Sequence, residues 1–593
     1  MTDYTPPLRD IRFVLDHVVD LDRLATLDDY AHVDGDLVMG LLDEAGRFTA
    51  SALAPANRDG DTIGATLHDG EVTTPDSWKK AYDDYVAAGW GALQHPAAYG
   101  GGDFPLVVAN AFKEMMTAAN MAFALGPLLT TGAVYAMLHH ASDELQQTWL
   151  PRMVSGEWAG TMNLTEPQAG SDVGALTTRA ERVEDGTYRI TGQKIYITYG
   201  EHDLTDQIVH LVLARLPDAP EGTKGISLFL VPKFLLDEDG QPAERNDVTC
   251  VSIEHKVGIH ASPTCVMAYG EDGDGAVGWL VGEEHDGMRA MFTMMNDARL
   301  QVGLQGLAIA ERAHQQAADY ARERRQGTAP GAERGTQSPI VDHPDVRRML
   351  LDSKARIEAM RVLTYANAMA IDLADALDGD EAAHWQKVAD LYTPLSKAWC
   401  TDLGVEVAST AIQVHGGMGY VEETGVAQHW RDARIAPIYE GTNGIQALDL
   451  VGRKLGYDGG EFVPSHLASL RDDVADDRDE LASTMAGVAA GLDVLEETTT
   501  WLLEHRADLR DVFAGATPYL RLFATVVAGT LLARGASAAL DQVEAGVDVD
   551  FHRAKLTTAR YFAEQVVPEV HALAPRVTAT ARDLFALDPD QLG

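Results

Sequence analysis

The stretch Ile438-Tyr439-Glu440-Gly441-Thr442-Asn443-Gly444-Ile445-Gln446 sets one carboxylate among small residues within an otherwise apolar run. A carboxylate so placed suits removal of a weakly acidic proton from carbon. Desolvation raises its affinity for protons, and backbone amides that approach the site stabilise the developing enolate. The same residues also suit a structural task, because a Glu ahead of Gly-Thr-Asn closes a turn and caps a helix beginning near Ile445. Taken alone, the stretch leaves both roles open.

Two further motifs lie upstream. Residues Met162 to Val173 read MNLTEPQAGSDV, where Thr165 and Ser171 flank a Pro-Gln-Ala-Gly turn that keeps amides and small hydroxyls accessible. Residues Gly192 to Gly200 read GQKIYITYG, a β-rich run carrying Tyr196 and Thr198. An aromatic in a strand is by itself more often core than cofactor wall. With Glu440 in its YEGT context, these motifs resemble the acyl-CoA dehydrogenase family of flavoproteins, in family order from about Ala88 to about Leu455. The chain length, the segment beyond Leu455 and the form EGTNGIQALDLVGRKL resemble the long branch of that family, which includes 3-methylthiopropanoyl-CoA dehydrogenases and some actinobacterial long acyl-CoA dehydrogenases.

The resemblance implies α,β-dehydrogenation of an acyl-CoA thioester. Glu440 takes the α proton, FAD takes the β hydrogen as hydride, and electrons pass to electron-transferring flavoprotein. The backbone N–H of Glu440 and the flavin ribityl 2'-hydroxyl then bind the thioester carbonyl, an arrangement that favours the enolate over the ground state. By the same resemblance, Leu164 and Thr165 face the flavin pyrimidine edge, Gly170 and Ser171 contact the cofactor, and Tyr196 and Thr198 meet the isoalloxazine. Arg324 and Gln326, in ERRQG, match a segment that reaches the FAD of a neighbouring subunit, where a planar guanidinium pairs with phosphate. Gln413, Gly416 and Gly417, in QVHGGMGY, match its companion, and Thr442 also belongs to the cofactor set. Each flavin would then be bound by two chains, in a homodimer or dimer of dimers. Ser171, Asn296, Arg299, Tyr439 and Gly441 are the expected substrate contacts, and no metal is expected. The implied substrate is 3-methylthiopropanoyl-CoA or a medium- to long-chain acyl-CoA.

The sequence departs from the family pattern in three places. The motif usually written RxSxT appears as His260-Ala261-Ser262-Pro263-Thr264, Gly444 stands where many relatives have Gln, and an insertion from Thr328 to Val341 is expected to be a mobile surface loop.

The elements that must hold these residues follow from periodicity. The expected fold is mainly α with a central β domain, as in the family's helical, β-barrel and four-helix-bundle domains, plus an additional helical domain. The divisions are a helical domain over 1–160, a β domain over 161–286, a helical bundle carrying Glu440 over 287–458, and a further helical domain over 459–593. Loops are expected at Pro55-Ala56-Asn57 and at Tyr99 to Gly102. Strands are expected at Tyr188 to Ile190, Lys194 to Thr198, Ile208 to Ala214 and Ile226 to Val231. Helices are expected over Ala308 to Arg325, Pro344 to Asp375, Trp385 to Gln413, Ser465 to Glu504, Pro518 to Glu544 and Phe551 to Ala574.

Composition narrows the function classes. At 593 residues the chain exceeds one core, and its formal charge of -43 argues against a nucleic-acid partner, including the DNA-binding role known within this fold. The acidic runs Asp472-Asp473 and Asp476-Asp477 read as solvated helix faces. The three cysteines form no metal or disulfide pattern. No apolar run is read as reaching the roughly 20 residues that span a bilayer, and MTDYTPPLRD lacks a signal-peptide pattern, so a cytoplasmic protein is expected. An acyl-CoA oxidase of the same fold is the nearest alternative.

Overall fold

The computed structural model describes residues 4–271 and 273–593, which fall into two compact units. One comprises residues 1–46, 106–118 and 302–593; the other comprises 47–105 and 119–301. The architecture is mainly helical with a central sheet, as expected.

The first unit is built on long helices. Pro344–Ala376 matches its expected segment closely, Gly379–His415 begins six residues before the expected Trp385, and Ala308 to Arg325 is the second half of a helix that runs Gly287–Glu323. Residues 302–323 of that helix pack on Gly379–His415 with backbone against backbone. A Cβ at Gly306 would lie 2.2 Å from the Cys400 carbonyl oxygen, and one at Gly404 would lie 2.7 Å from that of Gly306. Only glycine permits so close a crossing. Deep in this unit Arg361 donates to Glu114 at 2.7 Å and to Glu311 at 2.8 Å, while the Tyr365 hydroxyl donates to Glu114 at 2.8 Å. The helix Val549–Tyr561 is tied to the same core by Lys555, which pairs with Asp10 and with Glu358.

Several expectations are corrected. Pro55 to Asn57 begin the helix Ala54–Ile63, because proline in a first turn lacks only an N–H that would be unbonded anyway. The expected helix Ser465 to Glu504 is two helices, Phe462–Leu470 and Ala482–Glu504. The acidic runs lie between the two, Asp472-Asp473 on a short 3-10 helix over Arg471–Val474 and Asp476-Asp477 outside any helix, and Asp473 binds Arg534 while Asp476 binds Arg478. The expected helix Phe551 to Ala574 is helical throughout but changes type over residues 562–569, π over Phe562–Val566 and 3-10 over Val567–Glu569, where Pro568 lacks a donor. The insertion is a surface segment, as expected, but one tied at its base: Gln326 N–H donates to the Ser338 carbonyl at 3.0 Å and Ile340 N–H to that of Arg324 at 2.8 Å, so residues 324–340 form a hairpin whose tip, 328–337, is in no strand. Two helices, Met121–His140 and Ala516–Glu544, are in fact long and apolar enough to cross a membrane by length and composition, and most of each is buried inside the protein.

The second unit centres on an eight-stranded sheet. Its strands run in the order Val248–Ile253, Thr264–Tyr269, Tyr188–Thr198, Ala276–Val281, Ile226–Pro232, Gln207–Arg215 and Trp158–Asn163, with Arg179–Arg182 paired to Tyr188–Thr198 and Gln207–Arg215. The two short runs expected around Ile190 and Ile197 are one strand of 11 residues. Trp158–Asn163 lies parallel to Gln207–Arg215, and its end delivers the chain into the TEPQAGSD turn.

Candidate active site

The Glu440 turn lies in the first unit. Glu440 has φ +56° and Gly441 φ +80°. For a residue with a Cβ the left-handed region costs roughly 1–2 kcal/mol, so the surroundings must impose it. They do so from both sides. Asn443 N–H bonds back to the Pro437 carbonyl at 3.0 Å, closing the turn. The Asn443 side chain accepts from buried Lys397 at 2.9 Å and donates to the Ala398 carbonyl at 3.0 Å and to Asp402 at 2.8 Å, pinning the turn to helix Gly379–His415. Helix Asn443–Gly452 then starts with Thr442 as its cap, the hydroxyl accepting from Ile445 N–H at 3.3 Å. Capping, one of the two roles open to Glu440, is thus carried out by Thr442.

Tyr439 is half-buried and donates to the side-chain oxygen of Gln305, which is 1% exposed. Burial and the neighbouring Glu440 push the Tyr439 hydroxyl well above the ordinary tyrosine range, so it is a neutral donor. Gly444 is exposed and a Cβ there would meet only the Thr442 hydroxyl at 3.7 Å, so sterics do not explain glycine in that place.

The other motif residues of this unit lie at helix ends. Gln413 is exposed in the last turn of Gly379–His415, which Gly416 terminates at φ +59°. Gly416 and Gly417 are exposed with no atom within 4 Å of a Cβ placed on either, an open cradle of backbone. Arg324 and Gln326 are exposed just past helix Gly287–Glu323, on the hairpin described above.

In the second unit, the TEPQAGSD turn is held by a buried ion pair that motif reading missed. Glu166 and Lys194 are both nearly inaccessible and 2.8 Å apart. Glu166 also accepts from Thr177 N–H at 2.7 Å, Thr178 N–H at 3.0 Å and the Thr178 hydroxyl at 2.6 Å. Burial opposes its charge, yet Lys194 and these donors prevail and hold the carboxyl at about 2. Lys194 donates onward to the Leu164 carbonyl at 3.0 Å, and Ile195 N–H donates to that of Thr165 at 2.9 Å. Leu164 and Thr165 are thereby brought beside the strand of Tyr196 and Thr198, with Gly170 and Ser171 exposed on the turn.

That strand is bulged where it matters. Cys265 faces Ile197 but Met267 faces Lys194, so one extra residue is fitted between Lys194 and Ile197. Tyr196 lies there at φ +59° and is 60% exposed. A bulge re-aims a side chain that regular pleating would alternate inward or outward. Asn296 and Arg299 lie on helix Gly287–Glu323, Asn296 exposed and Arg299 buried with its guanidinium 5.8 Å from the Phe292 ring centre. His260, where the family motif has Arg, is bound into the fold, its ring nitrogens 2.8 Å from the Asp61 carbonyl and 3.1 Å from that of Lys256.

Four family models match nearly end to end: the acyl-CoA dehydrogenase N-terminal domain over residues 40–157, middle domain over 161–271 and C-terminal domain over 285–455, and the acetyl-CoA dehydrogenase C-terminal-like domain over 466–588. The chain belongs to the acyl-CoA dehydrogenase family. Among members of this family, it is 46% identical to the 3-methylmercaptopropionyl-CoA dehydrogenase of Ruegeria pomeroyi over 98% of this chain and 99% of that one. It is 34% identical to a broad-specificity linear acyl-CoA dehydrogenase of Mycobacterium tuberculosis, covering 99% of each. The acyl-CoA dehydrogenase of Bacillus anthracis, solved in complex with FAD, shares the fold at a TM-score of 0.73 and 20% identity, over 94% of this chain and 90% of that one.

Of the residues that motif reading passed over in this family member, Glu166 left a trace. Lys194 falls in step with Ile190 on an alternating strand, and an inward lysine requires a carboxylate. Gln305 and Asn443 left none, because an amide in a polar or helical context is most often solvated.

Proposed function

We propose that this protein is an FAD-dependent acyl-CoA dehydrogenase acting on 3-methylmercaptopropionyl-CoA, the same compound as 3-methylthiopropanoyl-CoA. The observation that carries the reaction class is the Glu440 turn: a carboxylate held in a strained conformation by Asn443 and the Thr442 cap, in a family whose chemistry needs a base. The near end-to-end 46% identity to the Ruegeria pomeroyi enzyme favours the substrate over a longer linear acyl-CoA.

Residues of each unit suit the cofactor. In the first, Gly416 and Gly417 leave room for a pyrophosphate against backbone, and Arg324 offers a guanidinium at the same end of the helices, where Tyr320 stacks on His415. In the second, the exposed Tyr196 ring suits a flat heterocycle. When bound, FAD supplies the acceptor for the hydride that leaves the β carbon. The protein's own task is proton removal and orientation. Glu440 takes the α proton, amides of the turn hold the thioester oxygen as charge builds on it, and Tyr439, fixed by Gln305, keeps the turn from relaxing. We further propose that electrons leave to electron-transferring flavoprotein and that a second copy of the chain completes each flavin site.

Anaerobic titration with a panel of acyl-CoA thioesters, followed by flavin absorbance, tests this. Bleaching by 3-methylmercaptopropionyl-CoA at the lowest concentration is expected, with slow reoxidation in air. Preferential bleaching by a linear acyl-CoA removes the substrate assignment, fast reoxidation makes the protein an oxidase, and absence of flavin removes the reaction.

A further inference from the structure

Within the first unit, a cavity of about 590 Å³ lies among the N-terminal helix Leu8–His17, helices Pro344–Ala376 and Gly379–His415, and the C-terminal helices Phe462–Leu470 and Ala516–Glu544. No residue assigned above to the base, the cofactor or the thioester lines it. Its volume falls in the range of sites that enclose small molecules.

The lining divides by polarity. Val18, Met369, Leu373, Val388 and Leu531 are each at most 5% exposed and give an apolar interior. Two polar groups at depth satisfy each other, the Tyr392 hydroxyl lying 2.9 Å from His466 Nε2. The exposed lining residues are instead charged or polar. Most of these charges are spent within the protein. Asp16 pairs with Arg12 at 3.1 Å, and Arg534 pairs with Asp473 at 2.8 Å while donating to the Val18 carbonyl at 2.9 Å. Arg23 is different. Among the described residues it has no carboxylate partner, and its guanidinium lies over the Trp385 ring, 5.1 Å from the centre. The His384 ring meets the same indole edge-on at 5.6 Å.

We propose that this cavity binds an amphipathic monocarboxylate, a fatty acid of medium chain length, with its head at Arg23 beside Trp385 and its tail against Val18, Met369, Leu373 and Leu531. An apolar interior closed by one uncommitted cation matches one negative head on an apolar tail. The mouth also selects against higher charge. Asp16 and Asp20 line the same rim, so a nucleotide or the phosphates of a CoA ester would meet carboxylates there. The site therefore takes a free acid and is not a second thioester site. It stands independently of the reaction proposed above.

The test is titration of the purified full-length protein with decanoate, decan-1-ol and AMP, followed by tryptophan fluorescence, on wild type, Arg23→Glu and Ala538→Trp. Ala538→Trp places an indole in the cavity from helix Ala516–Glu544, and thermal melting establishes that each variant is folded. Saturable decanoate binding is expected, at least tenfold weaker in Arg23→Glu and lost in Ala538→Trp, with weaker binding of decan-1-ol and none of AMP. Decanoate binding unchanged in both variants places the fatty acid elsewhere and overturns the proposal. So do the absence of saturable decanoate binding, decan-1-ol binding as tight as decanoate, and AMP binding relieved by Arg23→Glu. If Ala538→Trp does not fold, the Arg23→Glu comparison decides alone.

Discussion

Glu440 and Tyr196 share a left-handed φ, at +56° and +59°, but the elements that impose it differ. Glu440 sits in a turn that a single main-chain bond closes and that side chains pin in place: Asn443 reaching to Lys397, Ala398 and Asp402, and Thr442 capping the helix that follows. Tyr196 sits in a bulge closed by main chain, where one extra residue between two registered pairs of a ladder forces the bend. A turn held by a few side-chain hydrogen bonds can be retuned by single substitutions. A bulge held by the register of a sheet cannot, because removing it shifts every neighbouring residue to the opposite face. The Glu440 turn is thus adjustable and the Tyr196 bulge is fixed.

The sharpest way to break this comparison is Glu440→Gln, which keeps the shape of the turn and removes the carboxylate proposed as the base. Turnover is expected to fall by about three orders of magnitude or more, in or above the upper half of the roughly 10²–10⁴ that general base catalysis contributes, with FAD content and melting temperature unchanged. Stopped-flow flavin reduction reads the first, and retained turnover moves the base elsewhere. Next in size is Glu166→Ala, which leaves Lys194 buried without its carboxylate. A loss of about 3–5 kcal/mol is expected, measured by denaturant unfolding. A loss below 1 kcal/mol would mean that the ion pair does not hold the TEPQAGSD turn.

The same pair predicts a pH dependence. The Glu166 carboxyl is held at about 2 in the fold against an ordinary value of 4.5, so the folded state binds fewer protons than the unfolded chain between those values. Its contribution is complete above pH 4.5 and is lost as pH falls toward 2. Glu166→Gln should therefore lose less stability relative to wild type at pH 3 than at pH 7, and an equal difference at both refutes the assignment.

Smaller effects separate the turn from the bulge. Tyr439→Phe leaves the buried Gln305 oxygen without its donor and is expected to cost about 1–3 kcal/mol and to slow turnover while leaving FAD bound. An unchanged kcat would show that the turn needs no support from Gln305. Tyr196→Gly relieves backbone strain, so stability should rise by about 1 kcal/mol while FAD affinity falls. A fall in both would mean that the ring packs for structure and is not a cofactor wall.

Much of the fold could be read along the chain. The helices Pro344–Ala376 and Gly379–His415 were legible to within a few residues, apart from the start of the second, because each is long enough for a 3.6-residue pattern to dominate. The helix Ser465 to Glu504 was misjudged because its apolar pattern runs on either side of a break that the ion pairs of Asp473 and Asp476 stabilise. Those pairs are contacts with Arg534 and Arg478, and periodicity does not report them.

For the site, the sequence by itself marked the candidates for chemistry: Glu440 with its Gly-Thr-Asn, the TEPQAGSD turn and the paired glycines at 416 and 417. These are local facts, since a turn, a cap and an absent Cβ depend on neighbours in the chain. Only tertiary structure decided how they are held. Lys194 reaching Glu166 across 28 positions, Lys397 reaching Asn443 across 46 and Tyr439 reaching Gln305 across 134 are pairings between residues that the chain separates. Their partners are fixed by the geometry of packing, which buries a polar group only where another polar group meets it.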